Sequence, residues 1–148
     1  MKQIFIKLSK TDILEEVSLN SEYLGAKNAA EKEGLYARVA TISHDRSLLD
    51  RLFADTFGNL SEKLREFIIE TGLSDDGATL TLSLSNAYDD ALTDSVNDDL
   101  RAGMVKGVAA AWFRFTYPEE SQSWALESEK LFERAHAKLC YRRRPKRM

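Results

Sequence analysis

Residues 43–72, SHDRSLLDRLFADTFGNLSEKLREFIIETG, place Leu49, Phe53, Phe57, Leu60, Leu64, Phe67 and Ile68 at steps of four, four, three, four, three and one. That spacing follows one face of a 3.6-residue helix. Asp45, Asp50, Arg51, Asp55, Glu62, Lys63, Arg65 and Glu66 fall mostly on the other side. The pattern predicts a core-facing helix with Ser43 as N-cap, Asp45 in the first turn where the dipole favours an anion, and Gly72 as the left-handed C′ residue. Gly58 interrupts it. A mid-helix glycine costs about 1 kcal/mol relative to alanine, which predicts a kink or a close helix contact near Phe57. Seven large side chains, each contributing about 1.5–3 kcal/mol on burial, make this the segment that organises its neighbours.

Downstream, Leu73 to Gly77 reads as a turn, because Ser74, Asp75 and Asp76 offer local side-chain hydrogen bonds and Gly77 a permissive backbone. Residues 79–85 then alternate Thr or Ser with Leu, the clearest strand in the chain. Upstream, Ile4, Ile6 and Leu8 alternate with Gln3, Phe5 and Lys7, which predicts a second strand over residues 2–8. The leucine face of 78–85 suits antiparallel pairing with that strand or with a hairpin partner. Ser9 followed by Asp12 resembles a capping box and opens a short helix through Ile13, Leu14 and Val17. Weaker helical spacing continues over residues 19–33 through Tyr23, Leu24, Ala26, Ala29 and Ala30, and Leu35 to Ile42 fits an extended connector and a strand equally.

Beyond the strands, Asp90 to Tyr117 predicts a second long helix through Leu92, Val96, Leu100, Met104, Val108, Trp112 and Phe115. Gly103, Gly107 and neighbouring alanines allow close backbone approach, and Pro118 ends the helix. Glu119 to Leu139 predicts a third through Trp124, Leu131, Phe132, Ala135 and Leu139, joined to the second as a tight antiparallel hairpin. The fold class is therefore α+β, predominantly helical: three long helices, short N-terminal helices and a small antiparallel β element at residues 2–8 and 78–85.

A chain of 148 residues is expected to form one domain and bury about 68–70% of its unfolded surface. We divide it into a globular part, residues 1–141, and a basic tail, residues 142–148. The tail holds Arg142, Arg143, Arg144, Lys146 and Arg147 and no acid. Removing those five cations from the formal net charge of −3 leaves −8 on the rest. Such a body is a poor general surface for nucleic acid, so polyanion contact is expected only at the tail. No aromatic follows Tyr141, which argues against base stacking there. Cys140 is the only cysteine, so no internal disulfide is expected, and a reducing compartment is the simpler setting. The N-terminal apolar run is too short for a signal peptide, and no stretch has the length of a membrane span. The expected location is the cytoplasm, or a particle after assembly.

Three clusters invite a chemical reading. Asp90, Asp94 and Asp98 share a helix face near Asp89 and Asp99. Carboxylates so placed suit Mg²⁺ in a metal-dependent hydrolase, and they equally satisfy the orphan amides and dipole of a helix start. His136 and Cys140 lie one turn apart, a spacing common by chance; His44 has no nucleophile at local spacing. The tail terminates a helix, docks on an acidic neighbour, or meets DNA phosphates. No catalytic, cofactor-binding or metal-binding residue is predicted, and the five tail cations are the predicted partner-binding residues.

SEYLGAK (Ser21–Lys27), the acid-initiated Ser43–Leu52, AAWFRF (Ala110–Phe115) and LCYRRRPKR (Leu139–Arg147) together resemble small structural proteins of tailed bacteriophages and prophages, of the head–tail connector or neck type. The resemblance implies a non-enzymatic, mostly helical subunit that meets copies of itself or portal and tail proteins. The initial strand and the Thr/Leu strand at 79–85 depart from the best-known connectors. A regulatory or nucleic-acid-binding module using the tail is the alternative.

Overall fold

The computed structural model describes residues 1–28 and 45–142, without the side chains of residues 27 and 28. The elements are β1 (Lys2–Ser9), α1 (Lys10–Asn28), α2 (Arg46–Lys63), β2 (Ile68–Ser74), β3 (Gly77–Leu84), a 3-10 turn (Asp90–Leu92), α3 (Thr93–Thr116) and α4 (Pro118–Cys140). The helical α+β class is as expected. The proposed Ser43 cap, His44, Ala29, Ala30 and Leu35 to Ile42 lie outside the described residues, as do Arg143, Arg144, Lys146 and Arg147.

The helix read over residues 43–72 stops early. α2 ends at Lys63, Leu64 to Phe67 form turns, and Ile68 to Ser74 pair with β3 as a strand. Leu64 remains fully buried and Phe67 partly buried, so the apolar spacing still serves the core. Beyond them, β-branched Ile68, Ile69 and Thr71 suit the edge of β3, whose open donors and acceptors need a partner. The Ser83 amide, for example, donates to the Phe67 carbonyl at 2.7 Å. Gly72 accordingly sits in register with Thr79 and not at a helix end. Among the described residues Gly58 has no neighbour within 4 Å of an added Cβ, so none of them makes the expected close contact.

The sheet has the order β1-β3-β2, both pairs antiparallel. Its inner face is Ile6 and Leu8 from β1 and Ala78, Leu80, Leu82 and Leu84 from β3. Gly77 adopts φ +153°, and a Cβ there would fall 2.0 Å from the Leu8 carbonyl oxygen, so the β2–β3 turn can press against β1 only with glycine. At the N-terminus, Ser9 Oγ accepts from the Asp12 amide at 3.4 Å, the expected cap, but it opens a single 19-residue helix where short helices were expected.

The hub is α3, not the 43–72 segment. It buries Val96, Leu100, Met104, Val105, Val108, Trp112 and Phe113 and touches α1, α2, α4 and β1. The expected hairpin to α4 forms with Pro118 at the first position of α4, where its missing N–H costs nothing. Gly103 lies under the Phe132 ring, which an added Cβ would strike at 2.4 Å. The Ser128 hydroxyl donates to the Gly103 carbonyl at 2.8 Å, closing the hairpin with a buried hydrogen bond.

Candidate functional site

The acids before and within α3 do not converge. Asp89 accepts from the Ala91 amide at 3.0 Å and starts the 3-10 turn, whereas Asp90 pairs with Lys2 at 3.0 Å. Asp94 and Asp98 stand exposed. Asp99 turns inward and is nearly inaccessible, with Arg134 at 3.0 Å and Lys138 at 2.6 Å. Burial opposes ionisation of its carboxyl, but the hydrogen bonds from Arg134 and Lys138 prevail and hold it below the ordinary range. This grouping ties α3 to α4, a role other than the helix-start reading, which within the run fits Asp89 and its bond from the Ala91 amide.

The aromatics are structural in the same sense. Phe113 meets Trp124 edge-on at 5.2 Å between ring centres, and the Lys106 ammonium sits 4.1 Å above the Trp124 ring. A cleft of about 330 Å³ between α2, α3 and α4 is lined in part by Thr56, Gly107, Arg114, Ser128 and Phe132. The hydroxyls of Thr56 and Ser128 are already donated to the carbonyls of Leu52 and Gly103.

A different trio is brought together by the early end of α2. The turn after Lys63 presents Glu66 to the last turns of α4, where His136 and Cys140 share a face. His136 Nε2 hydrogen-bonds Glu66 Oε1, and Cys140 Sγ lies 3.8 Å from His136 Nδ1. The Phe67 ring packs on the imidazole, 5.3 Å between centres and tilted by 54°. One ligand-type atom from each of the three residues lies within 4.8 Å of the others, the metal-competent grouping among the described residues. A cavity of about 280 Å³ opens beside them, lined by Met1, Glu66, Phe67, Ser83, Ser85, Leu139, Cys140 and Arg142.

The order thiol, imidazole, carboxylate is that of a nucleophilic triad, but its electrostatics work against a thiolate. Desolvation, and then the nearby Glu66 charge, push the Cys140 thiol up, with Arg142 opposing them. Cys140 is also the last residue of α4, at the negative end of the helix dipole. Sequence spacing identifies His136 and Cys140 as neighbours. Glu66 was missed, because a continuous helix over 43–72 assigns it to a solvent face.

Of the tail cations, Arg142 is described. It forms an isolated antiparallel bridge with Tyr88, next to Asp89 and Asp90. The root of the tail therefore lies beside Tyr88, whose carbonyl accepts from the Lys2 ammonium that also pairs with Asp90. No described helix is long and apolar enough to cross a membrane. Comparison with family models, curated proteins and solved structures finds no match.

Proposed function

We propose that the chain is a non-enzymatic assembly protein, of the head–tail connector or neck type that its sequence resembles, in which the basic tail of one subunit grips the acidic body of the next or of a portal or tail protein. The supporting observation is the division of charge: five cations in the last seven residues against −8 on the remainder. Opposite charges segregated in this way give an association that is steered and screened by salt. The Arg142–Tyr88 bridge fixes the root of the tail to the body, leaving residues 143–148 to make the contact.

Absolute mass by light scattering, at low and high salt, tests the reading. The full chain is expected to form a multi-subunit species at low salt that dissociates at high salt, and deletion of residues 143–148 is expected to abolish it. A monomer at every salt concentration, or an oligomer indifferent to the deletion, overturns it. Duplex DNA binding that weakens steeply with salt and disappears with the tail, without self-association, replaces it with the nucleic-acid-binding alternative.

A further inference from the structure

We propose that Cys140, His136 and Glu66 form a binding site for a thiophilic divalent cation of the zinc class. A carboxylate can only accept a hydrogen bond, so in the neutral imidazole that metal binding requires the Nε2–H is donated to Glu66 Oε1. That tautomer leaves the Nδ1 lone pair directed at Cys140, whose Sγ is 3.8 Å away. Tetrahedral zinc, with ligands at about 2.0–2.3 Å, separates its donor atoms by about 3.3–3.6 Å. The thiol and imidazole are therefore nearly at chelating distance without any movement of α4. The residue spacing of four, which puts both on one helix face, is the zinc-ligand spacing of a helical chelate.

Glu66 supplies the third ligand. Its side chain is more than half exposed and its oxygen is within 4.8 Å of the other two donors; on binding it gives up the Nε2 hydrogen bond and swings to the ion on the Nδ1 side. The set of one sulfur, one nitrogen and one oxygen suits zinc better than magnesium or calcium, which take oxygen ligands. Three protein ligands leave a fourth position, and the adjoining cavity provides room there for water or an exchangeable ligand. Arg142 on the cavity wall favours an anionic fourth ligand. Binding displaces the thiol proton to solvent, so the ion does what the helix end and Glu66 otherwise prevent, holding Cys140 as a thiolate.

The test is titration of Co²⁺, a spectroscopic stand-in for zinc, into the full chain under reducing conditions that leave thiols free. One equivalent is expected to give a thiolate-to-cobalt charge-transfer band, to be displaced by Zn²⁺ and to raise the melting temperature. Cys140→Ala and His136→Ala should lose the band, and Glu66→Gln should weaken Co²⁺ uptake about tenfold or more. All three residues are at least partly exposed, so far-ultraviolet circular dichroism identifies any variant that misfolds, and protection of the wild-type Cys140 thiol from alkylation by Zn²⁺ gives a readout without mutation. Absence of the band, uptake indifferent to Cys140→Ala, or no protection of the thiol overturns the proposal. The readouts do not involve self-association, so they stand or fall apart from the assembly reading.

Discussion

Asp99 is 5% exposed, and it is tolerable there because two cations from α4 meet it. Arg134 lies largely in solvent while Lys138 is mostly covered, so the arrangement is a buried anion held by partners reaching in from the surface. Replacing both cations, Arg134→Ala with Lys138→Ala, leaves the carboxylate buried and unpaired. A loss of about 3 kcal/mol at neutral pH is expected in urea denaturation. The pH dependence follows from the lowered carboxyl value. A depressed folded-state pKa stabilises the fold above the unfolded value of about 3.9, and that contribution is lost as pH falls through the folded value. Wild-type stability should therefore decline below about pH 4, with the gap to the double variant narrowing as Asp99 protonates. Gly58 predicts a change of opposite sign. It occupies the middle of α2 with no described residue near an added Cβ, so Gly58→Ala should raise stability by about 0.5–1 kcal/mol in the same measurement. A destabilised Gly58→Ala would mean that a contact forms there.

At the scale of elements, the β2–β3 turn rests on Gly77. An alanine would be strained at φ +153° and would strike the Leu8 carbonyl. Gly77→Ala is expected to cost about 2 kcal/mol or more and to weaken amide protection along β1 and β3 together, as measured by hydrogen exchange. A loss confined to the turn itself would show that β1 does not depend on it. How far these elements were legible depends on whether their cause was local. The alternation of Thr79 to Ser85, the Ser9 cap and the proline at the α3–α4 joint are local signals, and each element stands where those signals put it. The end of α2 is not local. Leu64, Phe67 and Ile68 keep helical spacing, yet Ile68 pairs with Leu82, because the open edge of β3 competes for the backbone and nothing near Lys63 announces it. The same non-local event hid Glu66, and with it the cluster on His136 and Cys140. Asp99 was visible as an acid, but its inward turn depends on Arg134 and Lys138, more than thirty residues away.

At the scale of the molecule, α3 supplies the centre, the sheet covers one side and α4 another, and the charge is left divided between body and tail. That division can be satisfied within one subunit or between two, and the two cases differ in mass action. The tail root at Tyr88 lies beside Asp89 and Asp90, so a tail folded back on its own body would lower self-repulsion at any protein concentration. A tail that grips a neighbour stabilises only the associated state, and melting temperature then rises with protein concentration. The assembly reading predicts the second behaviour: at low salt the full chain melts higher as concentration increases, the slope vanishes at high salt, and deletion of residues 143–148 removes it at both. A melting temperature that falls on deletion by the same amount at every concentration would assign the tail to its own subunit.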